Sequence, residues 1–290
     1  MMDTKHIKAH LDKHGWCVVP NVLSNDEIVE AKRMFYGWQQ TIENHDYLHN
    51  TINPHCIYKY HEAGHQEHAW YIRTRPKVKE IFSGLWNTKD LVVSFDGSCY
   101  IGKQCKKKDA IWTHTDQSPT IKKHTCYQGL VSLTDNKERT IVVYDKTHLI
   151  HSKYFEIKNN TGKGNWHLID KQDVINASKL KRTLHVPAGA MVLWDSRTFH
   201  QNQYGAPNSE ERMVQYVCFL PKNNPKNTET IATKRQKYFL ERRTTSHWPY
   251  PLKVNGLQPR TFGDKSKIID YSLLKSVNLD RYMSDIENMI

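Results

Sequence analysis

The sequence predicts a mainly β fold with flanking helices, of the sandwich or jelly-roll kind. Short runs rich in β-branched and aromatic residues, LVVSFDGSCYI, CYQGLVSL, TIVVYD, TLHVPAGAMVLWD and MVQYVCFL, read as strands. Turn-rich pieces such as NNTGKGN and QYGAPNSEE separate them. Many short strands inside a helical frame are best buried as packed sheets with helices outside. The chain has 290 residues, 38% apolar and 25% charged, a globular composition. No apolar run approaches the roughly 20 residues needed to cross a bilayer.

Taken in order, residues 4–14 read as a polar helix stopped by Gly15, and WCVVPNVL as a short extended segment. Ser24-Asn25-Asp26-Glu27 matches a capping box, in which the Ser24 hydroxyl and the Glu27 carboxylate satisfy each other's free amides. Ile28, Ala31, Phe35 and Trp38 follow at helical spacing and form one buried face. Residues 43–68 are polar, histidine-rich and irregular, and VKEIFSGLW is a short helix leading into the strands. From NNPKN onward Pro, Lys and Arg are frequent, and only the last stretch regains helical periodicity. The expected organisation is a domain over residues 1–221 and a C-terminal extension, 222–290, packed on it.

A formal charge of +12, with clusters at Lys106–Lys108, Lys122-Lys123, Lys234-Arg235 and Arg242-Arg243, raises nucleic acid as a partner. No recognised nucleic-acid module accompanies the charge, so a lysine-rich solvated surface is the favoured reading. The six cysteines show no C-x-x-C pair and are expected to be thiols in a reducing compartment. With no signal-peptide core at the N-terminus, the expected location is cytoplasmic and no membrane partner is expected.

His61-Glu62-Ala63-Gly64-His65 spells the H-E-x-x-H pattern of zinc proteases. That chemistry needs both histidines one turn apart on a helix, yet Gly64 costs a helix about 1 kcal/mol and no amphipathic stripe surrounds it. A polar loop is expected there instead.

Metal chemistry points elsewhere, to Trp112-Thr113-His114-Thr115-Asp116. An imidazole and a carboxylate two residues apart on a strand share a face. His200, on the apolar segment after the turn Pro187-Ala188-Gly189, supplies a third ligand. Two histidines and one carboxylate, with open positions opposite, form the arrangement of non-haem Fe(II) oxygenases. If 2-oxoglutarate is the cosubstrate, its remote carboxylate needs a fixed cation, and a guanidinium meets it with two parallel hydrogen bonds. Arg212 lies twelve residues after His200, across QYGAPNSEE, at the start of a strand.

These segments resemble the phytanoyl-CoA dioxygenase-like branch of the Fe(II)/2-oxoglutarate-dependent oxygenases over roughly residues 8–220. The resemblance lies in HGWCVVPNVLSNDEI, SFDGSCYI, WTHTDQS, YQGLVSLTD, VVYDKTH, VPAGAMVLWDSRTFHQN and ERMVQYVCF. It implies a double-stranded β-helix, a cupin-like jelly roll. It also implies His114, Asp116 and His200 as iron ligands and Arg212 as the partner of 2-oxoglutarate. Asn202 and Gln128 would be secondary contacts to that cosubstrate, and dioxygen would be the other. The family's Gly-rich segment ending in Pro-Gly-Ser-His is replaced here by Glu138–His148, so no substrate contact is carried over from it.

The expected activity is a dioxygenase that hydroxylates a small polar or anionic molecule. The alternatives are an oxygenase acting on nucleic acid and a non-catalytic jelly-roll binding protein. Substrate contacts are expected from 43–68, 102–112 and 158–182, with Tyr58, Tyr60, Trp70 and Trp112 nearby. The sequence does not indicate an oligomeric state.

Overall fold

Asp3 opens the first helix, Thr4–His14, by accepting the Lys5 amide on its side chain. Gly15 closes the helix at φ 83°, donating its amide to the Leu11 carbonyl. No side chain fits at this turn, because a Cβ would stand 2.5 Å from His148 Nδ1. The computed structural model describes residues 3–290. Its strands are β1 (Trp16–Val19), β2 (Leu91–Val93), β3 (Ser98–Ile101), β4 (His114–Thr115), β5 (Tyr127–Ser132) and β6 (Ile141–Tyr144). They continue with β7 (His167–Leu168), β8 (Lys181–Thr183), β9 (Met191–Asp195), β10 (His200–Asn202), β11 (Arg212–Val217) and β12 (Phe219–Pro221).

The chain divides into two compact units. The first holds the chain through Asn21 together with Ile101–Arg212, and the second holds Val22–Tyr100 with Met213–Ile290. In the first, β1, β9 and β5 lie side by side and antiparallel, with Trp16 opposite Trp194 and Gly129 opposite Leu193. A separate antiparallel sheet runs β7-β4-β10-β6-β8. Phe155, from the helix Thr147–Ile157, packs on Val142 and Tyr144 of β6 with Ile169, Val174 and Phe199. Each such side chain contributes about 2 kcal/mol by leaving water. The sheet's edges are short, and β8 presents exposed Lys181 and Arg182, charges that discourage pairing with another chain.

In the second unit the capping box forms as its residues predict. Ser24 Oγ accepts the Glu27 amide at 3.2 Å, and Glu27 Oε2 accepts the Ser24 amide at 2.9 Å. Ile28, Ala31, Phe35 and Trp38 are buried along the helix Asn25–Gln39. β2 pairs with β12, and β3 lies beside β11.

Local details depart from the sequence reading. LVVSFDGSCYI is two strands, because Asp96 spends its side chain on the Gly97 amide and its carbonyl on Arg73 and Gln215. MVQYVCFL likewise breaks between β11 and β12. The stretch 43–68 contains a helix, His45–Ile52, whose buried face includes a histidine, with His49 Nε2 on the Tyr100 carbonyl at 2.8 Å. In 222–290 the helix Glu229–Leu240 buries only Arg235, which leaves no apolar period to detect. No helix among the described residues is long and apolar enough to cross a membrane.

Candidate metal centre

β4 and β10 are antiparallel neighbours, with His114 directly opposite His200. Opposed residues in such a pair project from the same face, and here the two imidazole centroids stand 4.3 Å apart. Asp116, just past the end of β4, joins them. Its Oδ2 is 3.2 Å from His200 Nε2 and 3.7 Å from His114 Nε2. One potential ligand atom from each residue lies within 4.8 Å of the others, and all three residues are buried.

The ring orientations are set by the backbone. His114 Nδ1 contacts the Trp112 carbonyl at 3.2 Å and His200 Nδ1 the Thr198 carbonyl at 2.9 Å. A carbonyl only accepts, so each Nδ1 carries a proton, and each Nε2, turned toward Asp116 Oδ2, is the nitrogen placed to ligate a metal. The strand beneath is pinned as well: Thr113 Oγ1 donates to Gln201 Oε1 at 2.6 Å, and the Asp116 amide to the Ser196 carbonyl at 2.9 Å. Two neutral imidazoles and one carboxylate, prefixed in this way, suit a divalent ion that accepts nitrogen and oxygen donors.

Arg212, the first residue of β11, is 1% exposed. Its Nη2 donates to Asn202 Oδ1 at 2.9 Å and its Nη1 to the Arg139 carbonyl at 3.5 Å, while Nε has no partner. Among the described residues no carboxylate pairs with it. A buried guanidinium left in that state is costly unless an anion completes it. Arg197, the other nearby cation, is already committed, since it grips Asp195 through Nε at 3.0 Å and Nη2 at 2.7 Å. Burial works against ionisation of Asp195, yet those hydrogen bonds and His124 hold its carboxyl below the usual range.

Of the two expected secondary contacts, Asn202 orients the Arg212 guanidinium, and Gln128 Nε2 donates to Asp116 Oδ2 at 3.2 Å. Two residues escaped the sequence reading. Arg139 is fully buried and ties the 102–105 loop to its own strand through the Gly102, Lys103 and Cys105 carbonyls. Trp166 lies within 158–182, from which substrate contacts were expected, but was not itself singled out; its ring centroid is 5.6 Å from that of His114. No signal in the sequence pairs either with its neighbours, because both contacts depend on strand register.

Trp112 stacks on His114, with centroids 4.9 Å apart and planes at 18°. Tyr58 and Trp70, expected near a substrate, are core residues of the second unit at 1% and 0% exposure. Lys106 and Lys108 are exposed, and Lys107 Nζ lies 5.9 Å from the Tyr204 ring centroid. His61-Glu62-Ala63-Gly64-His65 forms no helical pair of ligands. His61 and Glu62 have φ of 56° and 54°, and Ala63–His65 is a single 3-10 turn. Among the described residues only His114, Asp116 and His200 form a group able to hold a metal.

No family model matches the chain. Ava biosynthesis cluster protein O of Aspergillus versicolor is 27% identical over 207 residues, 66% of this chain and 66% of that protein. The match thus spans just under two thirds of that relative's length. Among solved structures, GIG2 (DUF1479) from Candida albicans superposes with a TM-score of 0.67 at 15% identity, covering 99% of this chain and 76% of that one. EctD from S. alaskensis, solved with 2-oxoglutarate and 5-hydroxyectoine, gives 0.53 at 10%, covering 77% of each chain. HygX from Streptomyces hygroscopicus, solved with nickel and 2-oxoglutarate, gives 0.53 at 12%, covering 77% and 89%. What is shared at these identities is the fold. This chain has the fold of proteins that have been solved with 2-oxoglutarate bound.

Proposed function

We propose that the protein is an Fe(II)- and 2-oxoglutarate-dependent oxygenase of the phytanoyl-CoA dioxygenase-like kind, built on a double-stranded β-helix. It hydroxylates a small molecule bearing a polar or anionic group. The observation that carries this reading is a buried guanidinium without a carboxylate, hydrogen-bonded to Asn202, two residues beyond a ligand of a ready-made His–Asp–His group. A metal site alone would not need Arg212. A dicarboxylic cosubstrate would.

His114, Asp116 and His200 would hold the iron, whose chemistry when bound is the oxidation of a substrate C–H bond with dioxygen and 2-oxoglutarate. Arg212 would receive the remote carboxylate of 2-oxoglutarate, in the orientation that Asn202 imposes. Gln128 would act one step further out, by fixing the Asp116 carboxylate. The carbonyls of Trp112 and Thr198 would keep both imidazoles in the ligating tautomer. On this reading the chemistry sits within residues 1–221, and 222–290 is an extension to it.

The test is 2-oxoglutarate consumption by the purified full chain, measured as succinate formed with and without Fe(II). Iron-dependent succinate formation that vanishes in His114→Ala is the expected result. Consumption indifferent to iron would overturn the assignment.

A further inference from the structure

β7 is the strand on the outer side of the ligand strand β4, with Leu168 opposite His114 and His167 opposite Thr115. Leu168 therefore projects from the same sheet face as the ligand imidazoles. Immediately before β7 stands Trp166, whose ring lies 5.6 Å from His114 at a tilt of 35°. Both side chains are half exposed, Trp166 at 51% and Leu168 at 54%. Among the described residues the Trp166 indole N–H has no hydrogen-bond partner. A large apolar ring is thus held in water at the edge of the candidate metal centre.

It is held there deliberately tightly. Ser118 Oγ, two residues after Asp116, donates to the Gly162 carbonyl at 2.9 Å. The His167 ring closes on the Gly164 carbonyl at 2.6 Å, and the Ile169 amide on the Thr113 carbonyl at 2.9 Å. A Cβ at Gly162 would stand 2.4 Å from His167 Cε1, so the His167 ring packs directly over this glycine. The loop is fastened on both sides of Trp166 to the segment carrying His114 and Asp116, while the indole itself stays uncovered.

From this geometry we infer that Trp166, backed by Leu168, is the face on which the substrate lies, and that the substrate carries a flat ring with an apolar side. The inference rests on the oxygenase reading and narrows it, since the polar or anionic group would sit elsewhere on the same molecule. A planar ring offset-stacks on an indole in a way that a puckered ring of equal size does not. A cationic group could also meet an indole face. That alternative is disfavoured by a net charge of +12 and by the divalent ion that His114, Asp116 and His200 would hold. The exposed apolar side chains nearest His114 in sequence or pairing are Ile111, Trp166 and Leu168, and of these only Trp166 offers a flat face.

The experiment uses the full chain labelled with 5-fluorotryptophan, the Trp166 resonance being identified by its loss in Trp166→Phe. Indole is the flat probe and cyclohexanol the puckered one. We expect indole, added to metal-free protein, to move the Trp166 fluorine resonance saturably and cyclohexanol to leave it in place. With Mn(II) and 2-oxoglutarate added, Mn(II) should broaden the ring protons of indole, and Trp166→Ala should weaken indole binding about tenfold, with Trp166→Phe in between. An unmoved resonance, equal response to cyclohexanol, or equal broadening in Trp166→Ala would each overturn the inference. If Mn(II) fails to bind, as water-proton relaxation would show, while indole still moves the resonance, the fault lies in the oxygenase reading. A ring site would then remain at Trp166, but its assignment to substrate would fall with that reading.

Discussion

At His61–His65 the backbone turns left-handed at two consecutive residues and then makes a single tight turn, whereas at His114–Asp116 it runs extended beside a partner strand. Both stretches place histidine near a carboxylate in sequence. In the first, His65 points into aromatic packing, 4.6 Å from the Phe95 ring, with Nε2 on the Arg243 carbonyl at 3.1 Å. Gly64 is needed there because a Cβ would stand 2.1 Å from the Phe95 carbonyl oxygen. In the second, His114 sets Nδ1 on the Trp112 carbonyl and turns Nε2 toward Asp116 Oδ2, 3.7 Å away. Burial alone therefore does not distinguish a ligand from a core histidine. The difference is which ring nitrogen the backbone consumes, and whether a second strand delivers another ligand opposite.

The sharpest way to break this contrast is to delete a histidine from each stretch. His114→Ala is expected to abolish Mn(II) binding followed by electron paramagnetic resonance, and His61→Ala to leave it at the wild-type level. Equal loss in both variants would mean that the first stretch contributes to the site after all.

A second test separates the cations. If Arg212 receives the cosubstrate's carboxylate as proposed, Arg212→Met removes its bidentate partner, a loss of about 2–5 kcal/mol, so affinity for 2-oxoglutarate should fall well over tenfold while Mn(II) binding survives. Arg197→Met should leave 2-oxoglutarate affinity within about twofold, because its fork is already filled by Asp195. Isothermal titration of the Mn(II)-loaded protein reads both. Reversed effects would move the anchor to Arg197.

Acid distinguishes the core histidines by a different route. Burial, with a contribution from Arg73, pushes His65 and His68 down from 6.5 to about 3. Their folded values lie below the unfolded ones, so the unfolded chain takes up protons that the folded chain refuses. Stability is fully present above about 6.5 and is lost as the pH falls toward 3. Between pH 7 and pH 5 the loss should reach about 2 kcal/mol for each histidine. Urea midpoints at the two pH values measure it, and His65→Gln should shrink the difference. A midpoint that does not move would show that these rings are not held neutral.

The smallest expected effect concerns Gln128. Its Nε2 steadies Asp116 while its Oε1 has no partner, so Gln128→Leu removes one useful contact and one unsatisfied atom. Metal affinity should drop about tenfold, with little change in the urea midpoint. If 2-oxoglutarate affinity falls and metal affinity does not, Gln128 touches the cosubstrate instead.

Much of the candidate centre was legible because a two-residue spacing on an extended chain already fixes a shared face. That spacing alone did not single out His114 and Asp116; they became a candidate site once joined to His200 and to Arg212, which was marked by its place at the head of a strand after His200. Register was not legible. Nothing in HTD or WHL says that Leu168 will oppose His114, so Trp166 was not singled out within 158–182. Helices whose buried side is polar were also invisible, as with His49 in His45–Ile52 and Arg235 in Glu229–Leu240. An apolar periodicity cannot register a guanidinium or an imidazole that satisfies itself internally.

The shortness of β7 has a consequence of its own. Two residues join it to β4, the strand that carries His114 and leads into Asp116, whereas His200 arrives on β10, at the other side of β4. Exchanges within 158–166, outside the paired residues of β7, would therefore redraw the approach to the candidate centre while His200 keeps its place on β10. Selection, or an engineer recombining related chains, would then change what surrounds the candidate centre while its donors keep their own strands.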